Sequence, residues 1–176
     1  MNVREPKRGE GALLMKLMVE LDADSKFMML EPGERQTSAQ EQELAIEEFL
    51  TSTSKVMFVA ENEGDLVGFV AGYGYRPNRK KHVMNCVLGV LSSASGKGLG
   101  TRLMKRLEDW ARRHRLSRME LTVMAHNTRA QKLYSRCGFE VEGIKRHSIC
   151  VDGKPVDERL MAKLLTAEAL DSPESL

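Results

Sequence analysis

Three glycines at alternate positions, Gly96, Gly98 and Gly100, fall where the β-rich run "VLGVL" gives way to the helical stripe "LGTRLMKRL". Absent Cβ atoms let a ligand approach the backbone and permit positive φ. The first N–H groups of a helix have no partner inside it and carry the positive end of its dipole. The turn therefore suits one of two tasks: holding an anion such as a diphosphate, or making a tight strand-to-helix connection. Lys97 and Arg102 add positive charge at its edge. A P-loop is excluded, because Lys97 is followed by Gly98 and not by Ser or Thr. The dinucleotide fingerprint fails as well, since the glycines run GxGxG and follow three strands of antiparallel character.

A second constellation is "NTRAQKLYSRCGF", residues 127–139. Asn127 has the chemistry of a helix N-cap, and Gly138 that of the left-handed residue after a helix end. The cysteines, Cys86, Cys137 and Cys150, show no CxxC pair and no zinc spacing. They read as inert thiols without a recognisable base partner.

The elements that must position these residues follow from periodicity. Leu14, Leu17, Met18 and Leu21 make one helical stripe. Thr37-Ser38, three residues before Gln40-Glu41, carry capping-box spacing for a helix presenting Ala45, Ile46, Phe49 and Leu50. "KVMFVAE" and "LVGFVAGYGY" flank "NEGD" as a hairpin, and "HVMNCVLGVL" is a further strand. The helix from about Gly98 buries Leu99, Leu103, Leu107, Trp110 and Ala111. "RMELTVMA" is a strand, and Asp152-Gly153 turns a final hairpin. The order is β-α-α-β-β-β-α-β-α-β-β, an α/β chain with a mixed sheet covered by helices.

At 176 residues the chain suits one domain, expected over 1–165, with a polar tail at 166–176. A formal net charge of +2 gives no footing for nucleic acid. The basic runs "RPNRKK" and "RRHR" read as a solvated loop and a helix end. The N-terminal stretch lacks an uninterrupted apolar core, and no run approaches the ~20 apolar residues of a membrane span. Sparse cysteines fit a reducing compartment, so a cytoplasmic protein is expected, with no membrane partner.

The two motifs together resemble the GNAT superfamily of N-acetyltransferases. That family has a Gln/Arg-x-x-Gly-x-Gly/Ala turn opening a long helix, and later N-x-x-A-x-x-L-Y-x-x-x-G-F. Here these are "SGKGLG" at 95–100 and "NTRAQKLYSRCGF" at 127–139, in the same order. The resemblance implies the GNAT fold: a mixed, mostly antiparallel twisted sheet of about six to seven strands with about four helices, its two central parallel strands splayed apart. It implies acetyl-CoA as cosubstrate, without a metal. Leu88, Gly89 and Val90 would hold the pantetheine arm, Gly96, Lys97, Gly98, Leu99, Gly100 and Thr101 the pyrophosphate, and Asn127 a further part of the arm. Ser95 stands where the family has Gln or Arg, a departure that bears on affinity more than on identity.

Tyr134 occupies the position of the tyrosine this family commonly uses as general acid. A phenol pKa of ~10 lies not far above the ~8.5 of an alkyl thiol, so donation to a departing thiolate is feasible. Some relatives carry a glutamate five residues before the motif asparagine; here that position is Thr122. Glu120, two residues earlier on the same strand face, and Glu31, in the "EPGER" loop, are the alternative carboxylates. His82 reads as a turn residue, and Met28 and Met29 as lining for an acceptor pocket. The implied reaction is direct attack by a primary amine, of a small molecule or a protein N-terminus. The last portion is similar to the ends of ribosomal-protein, amino-acid and polyamine acetyltransferases, which leaves the acceptor open. The rival reading is a non-catalytic acyl-CoA-binding module, motivated by Ser95 and Thr122. A homodimer through the final hairpin edge is expected.

Overall fold

The strand Lys55–Asn62 is apolar on both faces: Val56, Phe58 and Ala60 enter one core, Met57 and Val59 another. A strand buried on both faces needs helices on both sides of its sheet. The computed structural model describes residues 1–165; the expected tail, 166–176, lies outside the described residues. The order is β1 (Asn2–Arg4), α1 (Gly11–Asp24), α2 (Ala39–Thr51), β2 (Lys55–Asn62), β3 (Asp65–Gly74), β4 (Val83–Val90), α3 (Leu99–Arg113), β5 (Arg118–Met124), α4 (Thr128–Arg136), β6 (Glu140–Val151) and β7 (Lys154–Leu164). The seven strands form one mixed sheet, ordered β1-β2-β3-β4-β5-β7-β6, in which β4 and β5 are the parallel pair.

Helix α3 packs Leu99, Leu103, Met104, Leu107, Trp110 and Ala111 on one face of the sheet, where Tyr134 of α4 joins them. Helices α1 and α2 cover the other face with Leu14, Leu17, Met18, Leu21 and Ile46 against Phe69, Ala71 and Leu66. The α1 stripe is the one the spacing predicts. The α2 stripe is narrower than its sequence suggests: Ile46 is buried, yet Leu50 is exposed and Gln42 is buried in its place. Helix α2 lies close against α1, where a Cβ on Gly11 would sit 2.4 Å from the Ala39 carbonyl oxygen, so only a thin strip reaches the sheet.

Local chemistry sets the boundaries. Ser38 and Glu41 form a reciprocal capping box, with bonds of 3.2 and 2.7 Å. Glu63-Gly64 and Asp152-Gly153 both adopt positive φ, as primed hairpin turns require. Strand β4 begins at Val83, which leaves His82 in the preceding turn, where its carbonyl accepts from the N–H groups of Ser117 and Arg118.

The feature that positions the site is a failure of pairing. Strands β4 and β5 pair only at Val83↔Arg118, Met84↔Met119 and Asn85↔Glu120. Beyond Asn85 they part, while β4 stays paired to β3 as far as Val90↔Gly68. The expected splay of two central parallel strands is present.

Candidate active site

The glycine turn bridges β4 and α3. Its first part is a short 3-10 turn, Ser92–Ala94, tied to the end of α1: Ser92 donates its N–H and its hydroxyl to Asp24, at 2.6 and 2.7 Å. Ser95 donates its hydroxyl to the Leu91 carbonyl, so this side chain closes the turn and does not point out of it. Gly96 (φ 79°) and Gly98 (φ 73°) then take left-handed conformations, and the space where their Cβ atoms would lie is open. Gly100 is a glycine for another reason: a Cβ there would meet Leu133 Cδ1 of α4 at 2.4 Å.

Gly98 caps α3 without a side chain, and no acidic residue occupies the first turn. A Ser, Asp or Asn cap would consume one of the orphan donors. The N–H groups of Gly96 through Thr101 donate to no protein acceptor among the described residues, and the first closing bond runs from Arg102 N–H to the Gly98 carbonyl. Lys97 is exposed beside them, while Arg102 also reaches the Met1 carbonyl at 3.1 Å. Free donors, a positive helix end and open space fit a diphosphate.

The gap between β4 and β5 continues this surface. Leu91 N–H donates to Val67 on β3. Alternation along the strand therefore turns the peptide groups of Leu88 and Val90 away from β3, into the gap. Gly89 faces the other way, and its lack of a side chain has a packing cause: a Cβ would press on Phe69 and Leu21, at 2.7 and 2.8 Å. Leu88 and Val90 thus offer peptide groups that an extended, amide-bearing ligand can pair with.

Tyr134 lies under the gap on the α3 side. It is 7% exposed, with its ring tilted against Phe139 at 6.0 Å. Burial pushes its phenol well above the usual range, and the nearby thiols of Cys86 and Cys137 act in the same direction. Tyr134 therefore stays in its donor form. Its hydroxyl bonds to nothing in the chain; since no enclosed side-chain oxygen among the described residues lacks a partner, that hydroxyl meets accessible space. Asn127 caps α4 by accepting from Ala130 N–H at 3.1 Å, which leaves its amide N–H groups unused by the chain.

Burial also raises the Cys86 thiol, to about 12, so it holds its proton and makes a poor nucleophile. Cys137 is raised in the same way, and Cys150 is exposed at the edge strand.

The carboxylates are placed less simply. Glu120 stands at the closed root of the gap with both oxygens engaged: Tyr75 donates to one at 3.2 Å, Arg118 to the other at 2.9 Å, and Lys80 lies 3.7 Å away. Arg118 extends this network to Glu142. Glu31 is exposed in the α1–α2 loop and meets Glu34 through its backbone, not its carboxylate.

That loop is tied to α1, to the β6–β7 turn and to the segment before α4 by contacts no sequence pattern announces. Arg35 forms a fork with buried Asp22, at 2.6 and 3.0 Å. Lys26 pairs with Asp152 at the β6–β7 turn at 2.5 Å, and the Phe27 ring lies 5.2 Å from that of His126 before α4. Met28 packs against the α1 core while Met29 is exposed. A buried glutamate on β7, Glu158, also escaped the sequence reading, because its neighbours are distant in the chain. Among the described residues no group of His, Cys, Asp and Glu is arranged to hold a metal ion.

Known proteins are similar to this chain in sequence and in fold. Residues 15–139 match the Acetyltransferase (GNAT) family. The chain is 32% identical to the L-amino acid N-acetyltransferase AaaT of Escherichia coli over 110 residues, 60% of this chain and 66% of that protein. Its fold is similar to a GNAT-family acetyltransferase from Streptococcus pneumoniae, with a TM-score of 0.89 at 24% identity over 93% of this chain and 99% of that one. It is similar also to yncA of Salmonella typhimurium, described with its cofactor acetyl-CoA, with a TM-score of 0.84 at 20% identity over 100% and 99% of the two chains.

Proposed function

The chain belongs to the acetyltransferase (GNAT) family, and from that premise we propose that it is an acetyl-CoA-dependent N-acetyltransferase acting on a primary amine by direct attack. When bound, acetyl-CoA supplies an acyl thioester. The observation that carries the reading is a set of unpaired groups around the β4–β5 splay: the unpartnered N–H groups of Gly96–Thr101, the peptide groups of Leu88 and Val90, and the hydroxyl of Tyr134, which bonds to nothing in the chain.

In this reading the glycine turn binds the diphosphate, and Leu88 and Val90 pair with the amide-bearing arm. Asn127 adds a donor from the head of α4. Tyr134 gives its proton to the departing sulfur; burial keeps the phenol protonated but also makes it a weaker acid, so the donation relies on the short approach of the sulfur to the hydroxyl. The amine enters from the opposite face of the sheet, under the α1–α2 loop. The raised thiol of Cys86 favours direct attack over an acetyl-cysteine route. The acceptor is a small-molecule amine or a protein N-terminus; the similarity to an L-amino acid N-acetyltransferase makes a free amino acid the first compound to try. The protein acts in the cytoplasm, and two copies pair along the β6 edge.

A second reading, a non-catalytic acyl-CoA-binding module, is favoured by one observation: both oxygens of Glu120 are taken by the Arg118–Tyr75 network. Thiol release from acetyl-CoA, measured against L-alanine, 1,4-diaminobutane and an alanine-led peptide, together with coenzyme A calorimetry, separates the two. Turnover with at least one amine supports the transferase. Coenzyme binding with no thiol release above hydrolysis for any of them supports the module.

A further inference from the structure

Side chains of β5 alternate: Met119, Leu121 and Val123 enter the core shared with Tyr134, so Glu120, Thr122 and Met124 point to the acceptor side. On β7, Met161 and Leu165 belong to that same core, which places Glu158 and Leu160 on the acceptor side. The register Met124↔Glu158 and Thr122↔Leu160 makes Thr122 and Glu158 diagonal neighbours, within reach of a long side chain.

Glu158 is buried, at 7% exposure. Ser148 and Lys145 both donate to its Oε2, at 2.8 and 3.2 Å. Neither reaches Oε1. The Thr122 hydroxyl also helps to hold the carboxylate charged, after burial, which opposes that charge, and the bonds from Ser148 and Lys145. Thr122 itself is exposed.

The segment that supplies the two donors is built at a cost. Strand β6 slips register between Lys145 and Ile149, and His147 inside the bulge has φ 49°, anchored by Asp157 accepting from its N–H at 2.8 Å. A bulge with a strained non-glycine residue is the kind of device that re-aims side chains at functional sites. Here it brings both donors to one oxygen of Glu158, a carboxylate that also lies diagonal to Thr122 in the β5–β7 register.

We propose that Glu158, acting through the Thr122 hydroxyl, receives the proton shed by the acceptor amine, so that the carboxylate of the transfer comes from β7. This rests on the N-acetyltransferase reading. The amine lone pair forms the N–C bond as the thioester C–S bond breaks, and the sulfur keeps that pair and takes the Tyr134 proton. The nitrogen's proton passes to Thr122 Oγ1 as the Thr122 proton moves to Glu158. Solvent then removes the proton from Glu158 and restores that of Tyr134. Thr122 is the residue in contact with the amine; Glu158 is a positioning residue behind it.

The test is steady-state kinetics with the best amine of L-alanine, 1,4-diaminobutane and an alanine-led peptide. Glu158→Gln and Thr122→Val each lower kcat about 30-fold or more, while KM for acetyl-CoA and calorimetric coenzyme A affinity stay within about twofold. Thr122→Glu in the Glu158→Gln background restores at least about a third of the wild-type kcat, because position 122 lies on the same face and reaches the same amine. In the coenzyme-free protein, the ¹³C carboxyl titration of Glu158 moves upward in Thr122→Val. Because its partners hold Glu158 charged, Glu158→Gln lowers the thermal midpoint on either account; a purely structural role predicts instead that kcat per folded molecule stays near wild type and that Thr122→Glu adds nothing to it. Wild-type kcat in Glu158→Gln, a failed rescue in a stably folded double variant, or an unmoved Glu158 titration each overturns the assignment. A wild-type protein that binds coenzyme A but acetylates none of the three amines sinks the transferase reading itself, and the assignment with it.

Discussion

Asp24, the last residue of α1, holds Ser92 at two points, accepting from its peptide N–H at 2.6 Å and from its hydroxyl at 2.7 Å. One carboxylate thus ties the helix that leads into the acceptor-side loop to the turn that leads into the glycines.

This clamp predicts that Asp24→Ala weakens coenzyme binding without touching the chemical step. Two charge-assisted bonds preset the turn, and losing them leaves binding to order it, a cost of about 1–2 kcal/mol. Calorimetry with coenzyme A is expected to show affinity lowered about 5- to 30-fold. The kcat at saturating acetyl-CoA stays near wild type.

Tyr134→Phe separates chemistry from stability unusually well. The hydroxyl makes no bond within the chain, so its removal costs the fold nothing beyond about 0.5 kcal/mol in thermal melts. Loss of a general acid lowers kcat about 100-fold. An unchanged kcat would return Tyr134 to a packing role against Phe139.

Gly98 and Gly100 respond differently to a side chain. Gly98→Ala meets open space but must hold φ near 73°, which costs about 1–2 kcal/mol and disturbs the free N–H groups. Coenzyme affinity falls while the thermal midpoint moves only a few degrees. Gly100→Val drives into Leu133 and separates α3 from α4, so here the midpoint falls first. Both are read by parallel melting and calorimetry.

Stability depends on pH through carboxylates held below the usual range. Burial opposes ionisation of Glu108, but bonds from Lys163 and Arg112 outweigh it and lower its pKa; Glu158 and Glu10 are lowered in the same sense by their own partners. A depressed folded pKa gives stability that is present above the unfolded value of ~4.3 and is lost as pH falls through the folded value. Thermal midpoints are expected flat from pH 8 to about 5 and falling below it. Glu108→Gln lowers the plateau and flattens the descent.

Asp22→Asn removes the buried charge that half-buried Arg35 answers, and breaking such a pair costs about 3 kcal/mol. Urea unfolding reads the loss. Because Arg35 anchors the α1–α2 loop, KM for the amine rises more than KM for acetyl-CoA.

Much of this was legible in the chain because it is local. The α1 stripe, the Ser38 capping box, the Asn127 cap and the Asp152-Gly153 turn each depend on residues a few positions apart, and each forms where the spacing puts it. The glycine turn was visible for the same reason, although sequence could not separate Gly98, which needs its φ, from Gly100, which needs room beside Leu133. The carboxylates were not legible. Whether Glu120 is free depends on Tyr75, distant in sequence, and Glu158 approaches Thr122 only through the β5–β7 register. The splay likewise could be expected only through family resemblance, since no residue in β4 or β5 marks where pairing stops.

The proposed function requires the peptide N–H groups of Gly96–Thr101 to grip the coenzyme's diphosphate. Amide ¹H–¹⁵N spectra of the protein titrated with coenzyme A test this residue by residue. The largest changes are expected at Gly96, Gly98 and Thr101, with smaller ones at Leu88 and Val90. Saturable binding that leaves the 96–101 amides unmoved and shifts resonances elsewhere, such as those around the small pocket between Phe49, Lys55 and Trp110, would contradict it.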